Sequence, residues 1–143
     1  MRRSSIVLPM AALAATMGLW LIAGAGTIHA KALLAQLLLD RAFATTIVEG
    51  HPVKPWPWAD MTPVARIEVP RLGERAIVLG GASGQALAFG PALVNGSALP
   101  GEPGTTIIAG HRDTHFAFLR ALRPGDEIIV TNFTAGAGTQ TLP

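Results

Sequence analysis

The chain has 143 residues, of which 50% are hydrophobic and 14% are charged, and it carries a formal net charge of +2. The basic excess lies towards the N-terminus, in Arg2, Arg3, Lys31 and Arg41, which argues against a nucleic-acid surface and for charges that flank a membrane. The chain contains no cysteine, so disulfides, cysteine-ligated metals and a thiolate nucleophile are excluded within these residues.

The first segment is apolar and uncharged. No Asp, Glu, Lys or Arg lies between Arg3 and Lys31. A spanning helix needs about 20 apolar residues, so residues 6–28 are predicted to form a transmembrane helix. Arg2 and Arg3 then place residues 1–5 in the cytoplasm and the rest of the chain outside the inner membrane, with the lipid bilayer as a partner. A cleaved signal peptide is the alternative, although its apolar region of about 7–15 residues is shorter.

Residues 29–62 are predicted to form a helical extension and then a linker rich in proline and tryptophan. Leucines at positions 33, 34, 37 and 38 follow helical spacing, which predicts a helix over residues 31–45. Pro52, Pro55 and Pro57 then block a helix and favour extended backbone. We expect the neighbouring Trp56 and Trp58 to pack against the folded domain or to dip towards lipid headgroups.

The region that follows shows strand patterns separated by turns. Strands are predicted over residues 64–69, 76–79, 105–108 and 127–130, with a helical turn over 85–89 and an irregular loop over 90–104. These intervals predict a mostly β barrel or sandwich. Ser83 does not predict a nucleophile elbow, because Gln85 stands where the Gly-x-Ser-x-Gly spacing needs glycine.

His111 is the candidate catalytic residue. It follows a β-branched strand and precedes a polar turn, a position suited to proton transfer. Asp113 or Thr114 is expected to cap a short helix after it. A structural histidine is one alternative. A metal site of His111, Asp113 and His115 is another, although Gly110 argues against the helix that such a site needs.

Several stretches resemble the sortases, the cysteine transpeptidase family of bacterial surfaces. The resemblance runs from about Ala30 to about Val130. Within the family, these motifs look most like those of the single-span sortases of Gram-negative bacteria. The matching segments are Pro55-Trp56-Pro57-Trp58-Ala59-Asp60, Ala88-Phe89-Gly90-Pro91, Leu99-Pro100-Gly101-Glu102-Pro103-Gly104, Ala109-Gly110-His111-Arg112-Asp113-Thr114-His115-Phe116 and Leu122-Arg123-Pro124-Gly125-Asp126. The combined pattern is specific, whereas Gly-His-Arg alone is weak.

The resemblance implies a fold, a site and a partner. The implied fold class is mainly β, with the N-terminal transmembrane helix followed by an incomplete sortase-type β-barrel over residues 63–130. His111 matches the catalytic histidine, which protonates the leaving amine, and Arg112, Asp113 and His115 take supporting roles. The implied partner is a substrate protein that carries a C-terminal sorting signal, with no cofactor, metal or nucleic acid.

One departure from the family pattern changes the expected activity. A sortase needs a cysteine nucleophile and a later catalytic arginine, and this chain has no cysteine. Residues 131–143 are polar, glycine-rich and non-periodic, so we expect a disordered tail. We therefore expect a chain truncated before the catalytic cysteine and arginine, and inactive by itself. The alternative is a non-catalytic, membrane-anchored β-domain that binds a sorting-signal peptide or a partner protein.

Overall fold

The structure, a computed structural model, describes residues 4–134 and 139–142, and the chain divides into two compact units. The first unit extends to Leu34, and the second runs from Ala35 onwards. Helix α1, Ser4–Glu49, begins in the first unit and ends in the second. In the first unit the described large apolar side chains of α1, such as that of Trp20, are exposed.

The prediction of a transmembrane helix over residues 6–28 is corrected. In the part of the chain that the structure describes, no helix has the length and hydropathy needed to cross a membrane. One helix runs on to Glu49, because no proline interrupts the chain between Pro9 and Pro52. Residues 1–3 of the predicted cytoplasmic N-terminus lie outside the described residues.

Six strands form one sheet with the order β4-β3-β2-β1-β5-β6. Neighbouring strands are antiparallel except β2 and β3, which are parallel and are joined by a crossover that carries helix α2, Gly84–Phe89. The strands are β1 (Pro63–Val69), β2 (Glu74–Gly80), β3 (Ala92–Leu93), β4 (Ile108–Ala109), β5 (Ile128–Asn132) and β6 (Thr139–Leu142).

The predicted fold class, mainly β with an incomplete barrel, is wrong in two respects. Helical content is 43%, chiefly because α1 alone has 46 residues. The sheet is also not closed, since β4 and β6 form the two edges of the described sheet. Strands β3 and β4 have two residues each, so this side of the sheet is short along the strand direction.

Helix α1 covers one face of the sheet with its C-terminal half. Leu39 and Phe43 are almost completely buried there and pack against Ile77 and Leu79 of β2. Side chains alternate across a strand, which is why Ile77 and Leu79 share this face. The Arg66 guanidinium of β1 lies over the Phe43 ring, 5.4 Å from its centroid, and adds a cation–π contact.

The opposite face of the sheet holds a second apolar cluster. Ala65 and Ile67 of β1, Val78 of β2 and Val130 of β5 are its buried members on the strands. The pairing register places Ala65 opposite Val78 and Ile67 opposite Val130, so these side chains meet across neighbouring strands. Phe116, from the loop between β4 and β5, packs onto this cluster and brings the candidate site to this face.

Two strands lie where the sequence predicts none. Strand β3 falls in the predicted loop 90–104, and its two residues are too few to produce a periodic pattern. Strand β6 falls in the predicted tail 131–143, where Thr139 and Thr141 are β-branched residues at alternate positions opposite Thr131 and Ile129. Residues 135–138 and 143 of that tail lie outside the described residues.

Candidate active site around His111

His111 lies just beyond the edge strand β4 with its side chain exposed. Strand β4 ends at Ala109, and Gly110 separates it from His111. The His111 carbonyl oxygen accepts hydrogen bonds from the backbone N–H groups of Thr114, at 3.3 Å, and Phe116, at 3.1 Å. These two bonds turn the chain over residues 111–116 and fix the backbone that carries the imidazole.

Gly110 allows the Phe116 ring to lie against the backbone beside His111. A Cβ atom at position 110 would lie 2.8 and 2.9 Å from two ring carbons of Phe116 and 3.3 Å from Cβ of Pro91. The Phe116 ring packs edge-on against Phe118, with the centroids 6.1 Å apart, and both rings contact the second apolar cluster. The backbone at His111 is therefore anchored to the core through an aromatic pair.

The imidazole ring of His115 lies close to that of His111. The two imidazole centroids are 6.3 Å apart, and the planes are inclined by 38°. Partial burial lowers the pKa of His115, the Leu87 carbonyl of α2 opposes that shift, and the charge of His111 adds to it. His115 therefore stays neutral at a pH at which an ordinary histidine begins to gain a proton. Its contact with Leu87 also links the site to α2.

Asp113 pairs with arginines. Its carboxylate accepts a hydrogen bond from the Arg120 guanidinium and lies 3.4 Å from Nε of Arg112, whose side chain is 82% exposed. Within the described residues, no hydrogen bond joins Asp113 to His111 or His115. The structure thus brings the two histidines together, while Asp113 and Arg112 form an exposed charged group next to them.

The segment that follows the site is a 3₁₀ helix, Ala117–Ala121, with no side-chain cap, so neither Asp113 nor Thr114 has its expected capping role. Contacts that sequence reasoning did not predict hold its C-terminal end. Nη2 of Arg71 donates hydrogen bonds to the carbonyl of Ala121, at 2.7 Å, and to Oδ2 of Asp126, at 2.6 Å. The Pro124-Gly125-Asp126 turn is evident in the sequence, but Arg71 is distant along the chain and leaves no local signal there.

Asp126 has a strongly perturbed acidity. The hydrogen bond from the Arg71 side chain, followed by the backbone N–H of Arg123 at 2.7 Å, lowers the pKa of Asp126 to about 2. Both interactions stabilise the carboxylate form at this turn, which leads into strand β5. The contact network therefore fixes both ends of the segment between His111 and β5.

The chemistry available at this site is proton transfer. An exposed imidazole at a strand end is placed to act as a general acid or a general base. Among the described residues, no group of three His, Cys, Asp or Glu side chains is placed to hold a metal ion. The chain also offers no thiol, because it contains no cysteine.

The family follows from comparison with known proteins. The family model for the sortase domain matches residues 67–137, which include His111 and the whole turn after it. The chain belongs to the sortase family, as its motifs predicted. No curated protein sequence matches the chain.

Several solved sortase structures are similar to this chain. Sortase E of Streptomyces avermitilis is 35% identical, over 49% of this chain and 49% of its own, with a TM-score of 0.44. A sortase of Corynebacterium diphtheriae is 32% identical, over 50% of this chain and 37% of its own, with a TM-score of 0.46. A sortase D5 transpeptidase of Clostridium perfringens is 23% identical, over 71% and 67% respectively, with a TM-score of 0.56, and shares the fold. The chain spans about half the length of the sortase E structure.

Proposed function

We propose that this chain supplies the histidine of a sortase-type transpeptidase site that acts on a substrate protein with a C-terminal sorting signal. The position of His111 is the observation that carries the proposal. It is exposed, it follows edge strand β4, and it lies within the matched sortase region. Strand β4 pairs with β3 on one side, and no described strand pairs with its other side. A cysteine-bearing strand laid along that side would bring its side chains near His111.

The proposed reaction consists of two half-reactions, and His111 transfers a proton in each. In the first, a cysteine thiolate forms a bond to a peptide carbonyl carbon, and His111 gives its proton to the amine that leaves as the C–N bond breaks. In the second, an incoming amine attacks the thioester, His111 takes its proton, and the thiolate leaves. A cationic donor must stabilise the oxyanion in both halves. We do not assign this role to Arg112, since its Nε faces Asp113 at 3.4 Å.

We also propose that the 143-residue chain does not turn over by itself. The reaction needs a thiolate, and the chain has no cysteine. The incubation of the purified chain with a sorting-signal peptide and an amine acceptor should yield neither cleaved nor transferred peptide by mass spectrometry. Turnover by this chain alone would contradict the proposal.

The role of His111 is tested in a chain extended beyond residue 143. Sequencing of the DNA past that codon should show a reading frame that encodes Thr-x-x-Cys and a later arginine. In the extended chain, His111→Ala should lower kcat/KM by about 10²–10⁴-fold, the range expected for loss of a general acid–base residue. His51→Ala is the matched control, because His51 is exposed and pairs with Glu49 outside the site. Equal activity of the two variants would contradict the role.

A second candidate function is a non-catalytic one, favoured by the lack of cysteine. In this reading, the chain binds a sorting-signal peptide or a partner protein without cleaving it. Fluorescence anisotropy with a labelled peptide distinguishes the two. Peptide binding by the 143-residue chain, together with no cysteine-encoding frame downstream, would favour the binding function over the transpeptidase.

The location of the domain on the extracytoplasmic side is part of the proposal. It follows from the function, since the proposed substrates are proteins sorted at the cell envelope. A fusion of alkaline phosphatase after Pro143 tests it, because this reporter becomes active only outside the cytoplasm. An inactive fusion protein of full length would overturn the proposed location.

A further inference from the structure

A small basic cleft whose lining does not include His111 lies between the last turns of α1 and the extended chain after it. Its volume is about 260 Å³, and its lining comes from residues 38–45 of the helix and residues 53–55 of the proline-rich segment. All of these residues lie in the unit that begins at Ala35. Two of the lining residues are the cations Arg41 and Lys54.

Specific backbone contacts form this cleft. Helix α1 ends where Gly50 adopts a left-handed φ of 71° and donates its N–H to the Thr46 carbonyl at 2.9 Å. The chain then reverses, and the N–H of Val53 donates to Oγ1 of the buried Thr46 at 2.9 Å. This bond holds the residue before Lys54 against the helix. As a result, Lys54 lines the same cleft as Arg41, which is one turn of helix before Thr45.

The two cations carry a charge that the described residues do not neutralise. None of the lining residues is acidic. The nearest acids along the chain have other partners, since Asp40 pairs with Arg75 at 3.5 Å and Glu49 pairs with His51 at 3.2 Å. Among the described residues, neither Arg41 nor Lys54 forms an ion pair. A cleft that is lined by positive charges and by no negative charge raises the local concentration of anions.

The remaining walls are mainly apolar. Leu38 and Ala42 come from the helix, and Val53 and Pro55 come from the extended segment. The Thr45 hydroxyl donates its hydrogen to the Arg41 carbonyl at 3.0 Å, so that hydrogen is not available to a ligand. The cleft therefore combines two positive charges with an apolar surface that can receive a small hydrocarbon group.

We propose that this cleft binds a phosphate monoester that carries a small apolar group. A phosphate monoester bears a charge of about −1.5 to −2 at pH 7, which matches the two cations. The guanidinium fork of Arg41 suits two phosphate oxygens, and the ammonium of Lys54 acts as a point charge on a third. The apolar walls contact the organic substituent of the ester.

The test is an NMR titration of the ¹⁵N-labelled 143-residue chain with phenyl phosphate, inorganic phosphate and sulfate at constant ionic strength. Phenyl phosphate should shift the backbone amides of Thr45, Val53 and Lys54 with a saturable curve, and its affinity should exceed that of inorganic phosphate. Equal shifts with sulfate, or shifts without saturation, would overturn the proposal because general screening would then explain them.

Variants distinguish the cleft from general surface charge. Arg41→Gln and Lys54→Gln should each weaken phenyl phosphate binding by about tenfold or more, as expected for loss of one charge-assisted contact. Lys54→Arg should retain binding. Lys31→Gln is the matched control, an exposed cation of the same helix outside the cleft. Unchanged affinity in both cleft variants, with spectra that show a native fold, would overturn the assignment.

A further pair of ligands identifies the source of the ester. Glycerol phosphate in solution represents a soluble metabolite, and phosphatidylcholine vesicles that contain phosphatidic acid represent a lipid headgroup. Saturable binding of either ligand that is lost in Lys54→Gln supports the proposed site. The ligand that binds then identifies the source of the phosphate ester. Failure of both ligands, together with failure of phenyl phosphate, overturns it.

Discussion

Gly110 has no side chain, and this absence allows the Phe116 ring of the core to pack close to His111. The Phe116 ring occupies the space that any Cβ at Gly110 would need, with ring carbons at 2.8 and 2.9 Å from that position. The contact couples an exposed, chemically active loop to a buried aromatic pair. The position of the loop that carries His111 therefore depends on a glycine, a residue that has no functional group of its own.

We expect Gly110→Ala to destabilise the fold by about 1–3 kcal/mol, the usual cost of forcing an extra carbon into a packed site. Urea denaturation measures this effect, and NMR of the His111 ring reports the displaced loop. Gly84→Ala is the matched control, because a Cβ at Gly84 meets no atom within 4 Å. Equal unfolding midpoints for the two variants would contradict the packing argument.

Asp126 is the second residue whose environment leads to a prediction. Its pKa in the folded chain lies near 2, below the ordinary value of 3.8, because Arg71 and the Arg123 N–H stabilise the carboxylate. A depressed pKa means that the carboxylate stabilises the fold above the ordinary value. That contribution is lost as the pH falls from 3.8 towards 2.

Asp126→Asn should therefore lower the urea midpoint at neutral pH, and the difference from the unmodified chain should shrink as the pH falls towards 2. For Arg71→Gln the difference should also shrink, since this variant removes the main cause of the shift, but part of it should remain at low pH because the hydrogen bond to the Ala121 carbonyl is lost as well. The measurement is the unfolding midpoint as a function of pH. A difference that stays constant down to that pH would contradict the assigned cause.

At the scale of elements, α2 connects parts that are distant in sequence. Its Phe89 carbonyl accepts a hydrogen bond from Nε2 of Gln36 on α1 at 2.8 Å, and its Leu87 carbonyl lies against His115. The helix has only six residues, and Ser83 begins it by accepting the Ala86 N–H at Oγ, 3.1 Å away. Ser83 thus has a structural role, in keeping with the rejection of a nucleophile elbow.

Ser83→Ala should lower the free energy of unfolding by about 1 kcal/mol, the typical contribution of an N-cap side chain. Ser83→Asp should retain most of the stability, because a carboxylate oxygen also accepts the Ala86 N–H. Thermal unfolding of both variants provides the comparison. If the two variants lose equal stability, the cap is not the reason for the effect.

The sequence predicted those elements that have long or repeated patterns. Strands β1 and β2, and the position of His111 at a strand end, follow from alternation and from β-branched residues. Strand β3 could not be predicted, because Ala92 and Leu93 become a strand only by pairing with β2 on one side and β4 on the other. The contacts of Gly110 with Phe116 and of Arg71 with Asp126 are tertiary, so no local pattern reports them.

At the scale of the whole molecule, the boundary between the two units leads to a prediction. The second unit begins at Ala35 and contains Leu39 and Phe43, which fill the core beneath β2. A chain that begins at Ala35 should therefore retain the dispersed NMR spectrum of the sheet. A chain that begins at Gly50 should not, because loss of two buried side chains at about 2–5 kcal/mol each is comparable with the stability of a domain.

Cooperative thermal unfolding is the measurement for these two chains, and the chain that begins at Ala35 is the control for truncation itself. The prediction fails if the chain that begins at Gly50 unfolds cooperatively at the same temperature. It also fails if the chain that begins at Ala35 has lost the spectrum of the sheet.

The central position of β1 has a consequence for synthesis of the chain. Strand β2 ends at Gly80 and β5 begins at Ile128, and at roughly 5–20 residues per second the ribosome needs several seconds to make the stretch between them. During that time the flank of β1 that later receives β5 has no partner and can pair with another nascent chain. Arg66 and Glu68 give β1 charged side chains, and charges on a strand with an open edge discourage such aggregation until β5 emerges.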